Sequence, residues 1–334
     1  MVSSRLSCGN YFCALVYSAN IFLRTLYFGT TLGVLTQATI LLPALRRSGY
    51  QYKVDFQFRN AGLGKLGDLA IWTMGFVAVN QLSFLVISNL TTYANVLASQ
   101  QSEVATGFTS YQKAQLMMML PHSIITVSII TALLPRLSRH SHNDDLQHFG
   151  SELGTALRNV IALVIPSAGL LFFMGPQIGI ILYGHGASSL AAGSAVGEVA
   201  SMFALGLPAF SVFYVLLRNY YAQENTKTPF MINLGFNALH MGIGITLFYL
   251  VAEPLKVASL AFAYSIGYTL VVMFTWRRVA RRLPALGTKA LVQLTARVLV
   301  AVSVIGLASW AITHALLRPE TTAKALVQLI IFTS

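Results

Sequence analysis

Charged residues are scarce in this chain. Only 10% of its 334 residues are Asp, Glu, Lys or Arg, whereas 55% are hydrophobic. A soluble domain carries roughly 25% charged residues, so the composition excludes a soluble globular protein. Because helices satisfy their own backbone hydrogen bonds in lipid, the composition predicts an all-α polytopic membrane protein.

Cysteine and acidic residues are also few. The two cysteines, Cys8 and Cys13, are too few for a disulfide framework and do not have the spacing of a metal site. With 10 acidic and 22 basic residues, the formal net charge is +12. In a soluble protein that charge would indicate a nucleic-acid partner. The distribution of the basic residues along the chain gives a simpler explanation that needs no nucleic acid.

Motifs of enzyme active sites are missing from the sequence. It contains no Gly-rich phosphate loop, no paired-histidine metal signature and no nucleophile elbow. His140, His142 and His148 lie near Asp144 and Asp145, which fits either a metal site or, as we favour, a solvated polar loop. We therefore predict that the chain is not an enzyme and has neither a metal site nor a bound cofactor.

Apolar segments of about 20 residues, the length needed to cross a bilayer, recur along the chain. Full-length candidates lie at 26–45, 67–90, 114–135, 157–183, 195–220, 229–252, 256–276 and 291–316. Shorter apolar segments at 9–23 and 323–334 are interpreted as incomplete membrane helices. The pattern predicts about nine to ten transmembrane helices.

Basic residues alternate between the loops in the way that sets membrane orientation. Fifteen Lys and Arg residues fall in the loops at 46–65, 136–158, 218–227 and 277–289, whereas the opposite loops hold only four. Cytoplasmic loops are enriched in Lys and Arg, so these four loops are predicted to be cytoplasmic. The alternation supports the assigned spans and explains the net positive charge.

The stretch from Leu205 to Pro229 is predicted to contain one helix end, a turn and the next helix start. An apolar run ends on Arg218 and Tyr221, and such side chains settle at the headgroup level of a membrane. A short polar turn follows. Thr228 is predicted to cap the next helix and Pro229 to occupy its first turn, where a missing N–H costs nothing.

Polar residues inside two spans are the candidate cavity lining. Asn80 and Gln81 lie on a broad polar face of the 67–90 helix, while Gln115, His122 and Thr126 form a narrow stripe on the 114–135 helix. These faces either line a hydrophilic cavity or form hydrogen bonds between helices. His122 could couple protons, although a structural hydrogen-bonded histidine is the interpretation that we favour.

Four stretches resemble the MurJ/MviN family of lipid II flippases. The segment LGLPAFSVFYVLLRNYYAQENTKTP resembles the signature of that family, LLPRLSRH its Pro-x-x-Ser-Arg motif and LYGHGA its outer turn. TLGVLTQATILLPALRRSGY resembles the sixth helix of the family, particularly in actinobacterial-type members. The family motif residues are Pro135, Ser138, Arg139, Gly206, Leu207, Pro208, Arg218, Tyr221, Ala222, Asn225, Thr226, Thr228 and Pro229.

This resemblance implies a fold and an activity. Members of the family, which belongs to the multidrug/oligosaccharidyl-lipid/polysaccharide exporter superfamily, have two six-helix lobes around a central cavity and two further helices that form a groove for a lipid tail. They move lipid II, an undecaprenyl-linked peptidoglycan precursor, across the bacterial cytoplasmic membrane by alternating access, which implies coupling to an ion gradient or membrane potential. The implied partners are lipid II, membrane lipids, other cell-wall synthesis proteins and a separate first lobe.

The resemblance also implies a division of the chain. The expected parts are a partial membrane segment at 1–25, the last helix of the first lobe at 26–45 and a basic cytoplasmic loop at 46–65. A six-helix second lobe at 66–283 and two C-terminal helices at 284–334, the last truncated, are expected to follow. Most of the first lobe, which carries the cavity arginines of the family, is then absent. Two alternatives therefore stay open: transport of another lipid-linked saccharide or a drug, and a truncated remnant that does not transport.

Overall fold

The computed structural model describes residues 27–40, 43, 47, 63–100, 106–186 and 188–316, and the regular elements in these ranges are helices. The chain divides into two compact units, Met1–Leu63 and Gly64–Ser334. Helix α1, at 27–40, belongs to the first unit. The predicted partial spans at 9–23 and 323–334, and most of the 46–65 loop, lie outside the described residues.

The second unit is a bundle of long helices. They are α2 (Leu63–Gln100), α3 (Phe108–Pro121), α4 (Ser128–His142), α5 (Leu146–Tyr183), α6 (Leu190–Tyr221), α7 (Lys227–Leu250), α8 (Lys256–Arg282) and α9 (Thr288–Leu316). In the described ranges, seven helical segments are long and apolar enough to cross a membrane. The all-α membrane fold is therefore confirmed, while the count of nine to ten helices stays a prediction.

Helix α6 forms the centre of the bundle. It packs against α3, α5 and α8. In an apolar 18-residue stretch of α6, 72% of the residues are buried inside the protein, whereas in the corresponding stretches of α2 and α9 only 11% are buried. The outer helices expose many apolar side chains, which lipid can cover. Since α6 is enclosed by its neighbours, its backbone fixes the relative positions of the groups described below.

Small residues permit the closest approach in the bundle, between α5 and α6. A Cβ added to Gly197 would come within 2.6 Å of the Pro176 Cα atom, and one added to Gly179 would lie 2.7 Å from the Gly197 N atom. Small residues let membrane helices approach to backbone contact. This contact positions α5 against the centre of the bundle.

The helix breakers act differently from one another. Pro121 precedes a π-helical segment, His122–Val127, which joins α3 to α4, and such segments widen a helix locally. Helix α5 is kinked next to Gly175-Pro176, because Met174 has non-helical backbone angles (φ −116°, ψ 16°). By contrast, α6 runs through Pro208 as one helix.

Asp145 caps the start of α5 in the 143–145 turn. Its carboxylate accepts hydrogen bonds from the His148 backbone N–H (3.1 Å) and the His148 ring Nδ1 (2.7 Å). The backbone hydrogen bond is the main cause that lowers the pKa of Asp145 below its ordinary value of 3.8. Because its pKa is lower in the folded state, the Asp145 carboxylate stabilises the fold at pH values above its ordinary pKa. This stabilisation is lost as the pH falls through the lowered pKa of the folded state. In the described ranges, this turn included, no group of three His, Cys, Asp or Glu residues is positioned to hold a metal ion.

Candidate functional site

The polar turn of the sequence lies between α6 and α7, as predicted. The turn is closed by a hydrogen bond from the Asn225 N–H to the Tyr220 carbonyl (2.9 Å), and Glu224 adopts a left-handed backbone (φ 53°). The Asn225 side chain accepts a hydrogen bond from the Thr228 N–H (3.0 Å). Thr226 occupies the N-cap of α7, so the predicted capping role of Thr228 is wrong. Pro229 lies in the first turn of α7, where it was expected.

The Gly206-Leu207-Pro208 motif serves the packing of α6. A Cβ added to Gly206 would come within 2.6 Å of the Ser265 Cα atom on α8, and the Ser265 hydroxyl donates to the Met202 carbonyl on α6 (2.7 Å). Leu207 is fully buried, while Pro208 faces a groove described below. These contacts explain why a residue without a side chain stands at position 206. The Pro135, Ser138 and Arg139 motif lies within the last three turns of α4.

A cavity of about 290 Å³ opens beside the end of α6. Its lining residues come from α2, α6 and the start of α7: Trp72, Thr73, Phe76, Tyr214, Leu217, Arg218, Tyr221 and Thr226. The Arg218 guanidinium carbon lies 5.4 Å from the Tyr214 ring centroid and 5.6 Å from that of Tyr221. We call this space the Arg218 cavity. The Arg218 side chain is half-buried against protein, and its predicted place at the headgroup level of the membrane stays a prediction.

His122 joins α3/α4 to α6. Its Nδ1 atom lies 3.0 Å from the Ser211 hydroxyl, and its ring packs on Phe210 (centroids 4.4 Å apart). His122 and Thr126 are buried, at 3% and 0% exposure, while Gln115 is half-buried. A cavity along this stripe would therefore require α3 and α4 to separate from α6. The role of the stripe as cavity lining stays a prediction.

An amide network joins α2 to α7. The Asn237 side-chain amide donates to the side-chain Oδ1 atom of Asn80 (3.2 Å) and to the Asn233 backbone carbonyl (2.9 Å). The Asn80 side-chain amide donates to the Phe76 backbone carbonyl (3.0 Å). Gln81, the neighbour of Asn80, is exposed instead. The residues of the broad polar face predicted on this helix therefore have different surroundings, because Asn80 bonds to α7 whereas Gln81 is exposed.

The α7 partners of this network were missed by the sequence analysis. Asn233 and Asn237 are buried, and His240 is buried on the same face of α7. Their i, i+4, i+7 spacing is a helical periodicity of the same kind as the i, i+7, i+11 spacing that identified the stripe on the 114–135 helix. Applied to the 229–252 span, the same search would have found them. It would not have identified Asn80 as the partner, because pairing between helices depends on the packing of the bundle.

We expect a measurable coupling between Asn80 and Asn237. In a double-mutant cycle with Asn80→Leu and Asn237→Leu, the interaction free energy should be about 0.6 kcal/mol and at most about 1.7 kcal/mol, the range found for hydrogen bonds between membrane helices. The measurement is reversible unfolding in mixed micelles. As a control, Asn89→Leu should be additive with Asn80→Leu within about 0.5 kcal/mol, because Asn89 is exposed and bonds only to its own helix. Additivity of Asn80 and Asn237 would contradict the network.

A second, larger space lies between α5, α6, α8 and α9. Its main cavity has a volume of about 540 Å³. Thr269, Trp276, Arg277 and Thr295 are the only lining residues with a polar side-chain atom. Helix α9 packs mainly on α5, where the Val302 side chain sits on Gly169 and the Phe173 ring sits on Gly306. Since α9 does not close onto α6 and α8, an apolar channel remains, which we call the α9 groove.

The α9 groove continues along the helix beyond this cavity. A second cavity of about 170 Å³ shares Ile165, Leu205, Pro208 and Leu299 with the first. A third cavity of about 360 Å³ shares Phe172 and Phe173 with the second and reaches Glu198. Along α9 the lining runs from residue 291 to residue 307, about 24 Å at 1.5 Å per residue. The groove therefore extends along most of the roughly 30 Å hydrocarbon thickness of a bilayer.

Comparisons with known proteins identify the family of this chain. The sequence model of the family described as "Lipid II flippase MurJ" matches residues 7–328. A probable lipid II flippase MurJ of Rhizobium meliloti is 24% identical over 254 residues, covering 75% of this chain and 45% of that protein. One of Haemophilus influenzae is 25% identical over 264 residues, with coverage of 77% and 49%.

A solved structure is similar as well. The lipid II flippase MurJ in an inward closed conformation superimposes with a TM-score of 0.59 at 20% identity, covering 91% of this chain and 59% of that one. At this identity the likeness shows the fold. The chain spans about half the length of the curated relatives that it matches, and the actinobacterial type stays a prediction. From the family match over most of its length and the seven membrane spans, the chain is a multi-pass protein of the bacterial inner membrane and belongs to the MurJ family.

Proposed function

We propose that the chain takes part in moving lipid II, the lipid-linked peptidoglycan precursor, across the cytoplasmic membrane by alternating access during cell-wall synthesis. The observation that carries the proposal is the α9 groove, in a chain that belongs to this family. A long, narrow and apolar groove beside the bundle suits a long, unbranched hydrocarbon chain. The polyisoprenyl tail of lipid II has that chemistry.

The α9 groove meets one physical requirement for moving a lipid with a polar head, which is an apolar path for the tail. The tail can stay in apolar surroundings, because the α9 groove is continuous along the membrane direction. The head group must cross separately through a polar path, which the buried polar side chains near α3, α6 and α7 can provide once the helices separate. No bond is made or broken in this process, so the proposed role is transport and not catalysis. Coupling to an ion gradient or membrane potential would supply the free energy.

The proposed activity needs partners. Because the chain spans about half the length of its curated relatives, we propose that it works with a segment equivalent to their remaining part. Such a segment would form the other wall of a central cavity. Contacts with other cell-wall synthesis proteins belong to the same proposal.

The test is complementation in a bacterium depleted of its own lipid II flippase. Residues 1–334 are expressed alone and together with the N-terminal part of the Haemophilus influenzae relative. We expect the combined form to restore growth and to lower the accumulated lipid II, with the intact relative as the positive control. Combined protein that inserts in the membrane, yet leaves lipid II high, would contradict the proposal.

A further inference from the structure

The Arg218 cavity carries an unbalanced positive charge. Arg218 lines it, and Lys227, the first residue of α7, lies with its Nζ atom 5.3 Å from the ring centroid of Trp72, another lining residue. In the described part of the chain, no ion pair joins either cation to an acidic side chain. The Arg218 Nε atom is buried and has no hydrogen-bond partner. Arg218 thus lines the cavity and the exposed Lys227 lies beside it on Trp72, and neither cation forms an ion pair with an acidic side chain of the described residues.

The local backbone increases this positive potential. Helix α7 begins beside the cavity. The Asn225 side chain accepts one first-turn hydrogen bond, from the Thr228 N–H, but the side chain of the N-cap residue Thr226 makes no capping hydrogen bond. A helix N-terminus carries a partial positive charge, which attracts anions and repels cations. Lys227 is therefore in an unfavourable position unless an anion is nearby. The Thr226 hydroxyl, which lines the cavity, is placed to donate a hydrogen bond to such an anion.

Aromatic rings hold the two cations in place. Arg218 lies over Tyr214 and Tyr221, and Lys227 lies over Trp72. Stacking on rings orients a cation without neutralising its charge, because the ring contributes only a quadrupole. The guanidinium therefore keeps N–H donors that none of the described residues uses, and this planar group suits the oxygens of a phosphate. A cation that aromatic rings hold in one orientation, and that lacks a counter-charge, forms a preformed site for an anion.

We propose that the Arg218 cavity binds a phosphate group carried by a lipid at the cytoplasmic face of the membrane. The face follows from the loop charges, because Arg218 and Lys227 flank one of the loops predicted to be cytoplasmic. A volume of about 290 Å³ leaves room for a phosphate or a diphosphate. Two sources share this chemistry: the diphosphate of an isoprenyl lipid, which rests on the proposed function, and an anionic phospholipid, which does not.

The test is lipid binding to the purified full chain, measured by native mass spectrometry. The probes are undecaprenyl diphosphate and phosphatidylglycerol, and the uncharged undecaprenol reports binding through the tail alone. The variants are Arg218→Gln and Lys227→Gln. Arg281→Gln is the matched control, because Arg281 is an exposed cation at the same face and does not line the cavity. Circular dichroism and gel filtration check that each variant is folded.

We expect Arg218→Gln to weaken binding of at least one charged probe by about tenfold, the effect of losing a charge-assisted hydrogen bond. Lys227→Gln should have a smaller effect in the same direction, and it keeps the test valid if Arg218→Gln does not fold. Arg281→Gln should stay within about twofold of the unmodified chain. A loss for the diphosphate alone assigns the site to the isoprenyl lipid, and a loss for phosphatidylglycerol alone assigns it to a phospholipid.

Equal binding of both charged probes to Arg218→Gln, Lys227→Gln and the unmodified chain would overturn the inference. Undecaprenol separates this failure from failure of the proposed function. If undecaprenol binds all variants equally while the charged probes gain nothing over it, the cavity is not a phosphate site but tail binding stands. If undecaprenol does not bind at all, tail binding fails, and the dependence of the two charged probes on Arg218 and Lys227 still decides the cavity.

Discussion

Ala296→Trp is expected to abolish the rescue of growth in the depleted bacterium. Ala296 lines the main cavity of the α9 groove between α6, α8 and α9. An indole at this position would fill the space that we assign to the isoprenyl tail. Since a tail excluded from the groove cannot accompany its head group, lipid II should accumulate to the level of the uncomplemented strain. The measurements are growth, lipid II content and the amount of membrane-inserted protein.

Ala301→Trp is the matched control for the groove. Ala301 lies on the same helix and is exposed, but it is not a groove-lining residue. The same large side chain should there contact lipid and leave growth and lipid II content unchanged. If both tryptophan variants rescued growth equally well, at equal protein levels, the α9 groove would not be the path of the tail.

Gly197→Leu is expected to prevent stable packing of α5 on α6. The added side chain would overlap the Gly175 carbonyl and the Pro176 backbone, which cannot move without displacing the whole helix. Overpacking of a core commonly costs about 1–3 kcal/mol, and more where backbone must shift. Because this contact fixes α5 at the centre of the bundle, we expect aggregation in detergent or a large drop in the unfolding temperature. Fluorescence-detected gel filtration after heating measures both.

Gly242→Leu serves as the comparison for this variant. Gly242 is also inside a membrane helix, yet nothing lies within 4 Å of an added Cβ. Its substitution should leave the unfolding temperature within a few degrees of the unmodified chain, because the new side chain enters open space. Equal unfolding temperatures for Gly197→Leu and Gly242→Leu would show that the close contact of α5 and α6 is not needed for the fold.

The class of fold could be predicted because it depends on sums over many residues. Low charge, repeated apolar segments and alternating basic loops each average over long stretches, so single errors have little effect. The turn after α6 was also predictable, since it follows from local residue types. The residue whose side chain caps α7 could not be predicted. The side chain that accepts a first-turn N–H is that of Asn225 and not that of Thr228, because the helix begins at Lys227, two residues before Pro229.

The arrangement of polar groups could not be predicted, because it depends on which helices meet. His122 was identified as polar at depth, and the favoured structural interpretation agrees with its hydrogen bond to Ser211. That partner lies 89 residues away, and no periodicity within one helix identifies it. For the same reason Arg218 was interpreted from its own helix as an interfacial cation. Its place in a cavity with Trp72 and Thr226 requires the packing of α2 and α7 around α6.

The most direct test of the central claim is to map where the tail of an isoprenyl lipid lies on this chain. An undecaprenyl diphosphate with a photoreactive diazirine in its tail is cross-linked to the purified protein, and the labelled peptides are identified by mass spectrometry. We predict labels on groove residues of α6, α8 and α9, such as Val212, Met273 and Leu299, and loss of these labels in Ala296→Trp. Labels confined to the exposed apolar faces of α2 and α4, with none in the groove, would contradict the account.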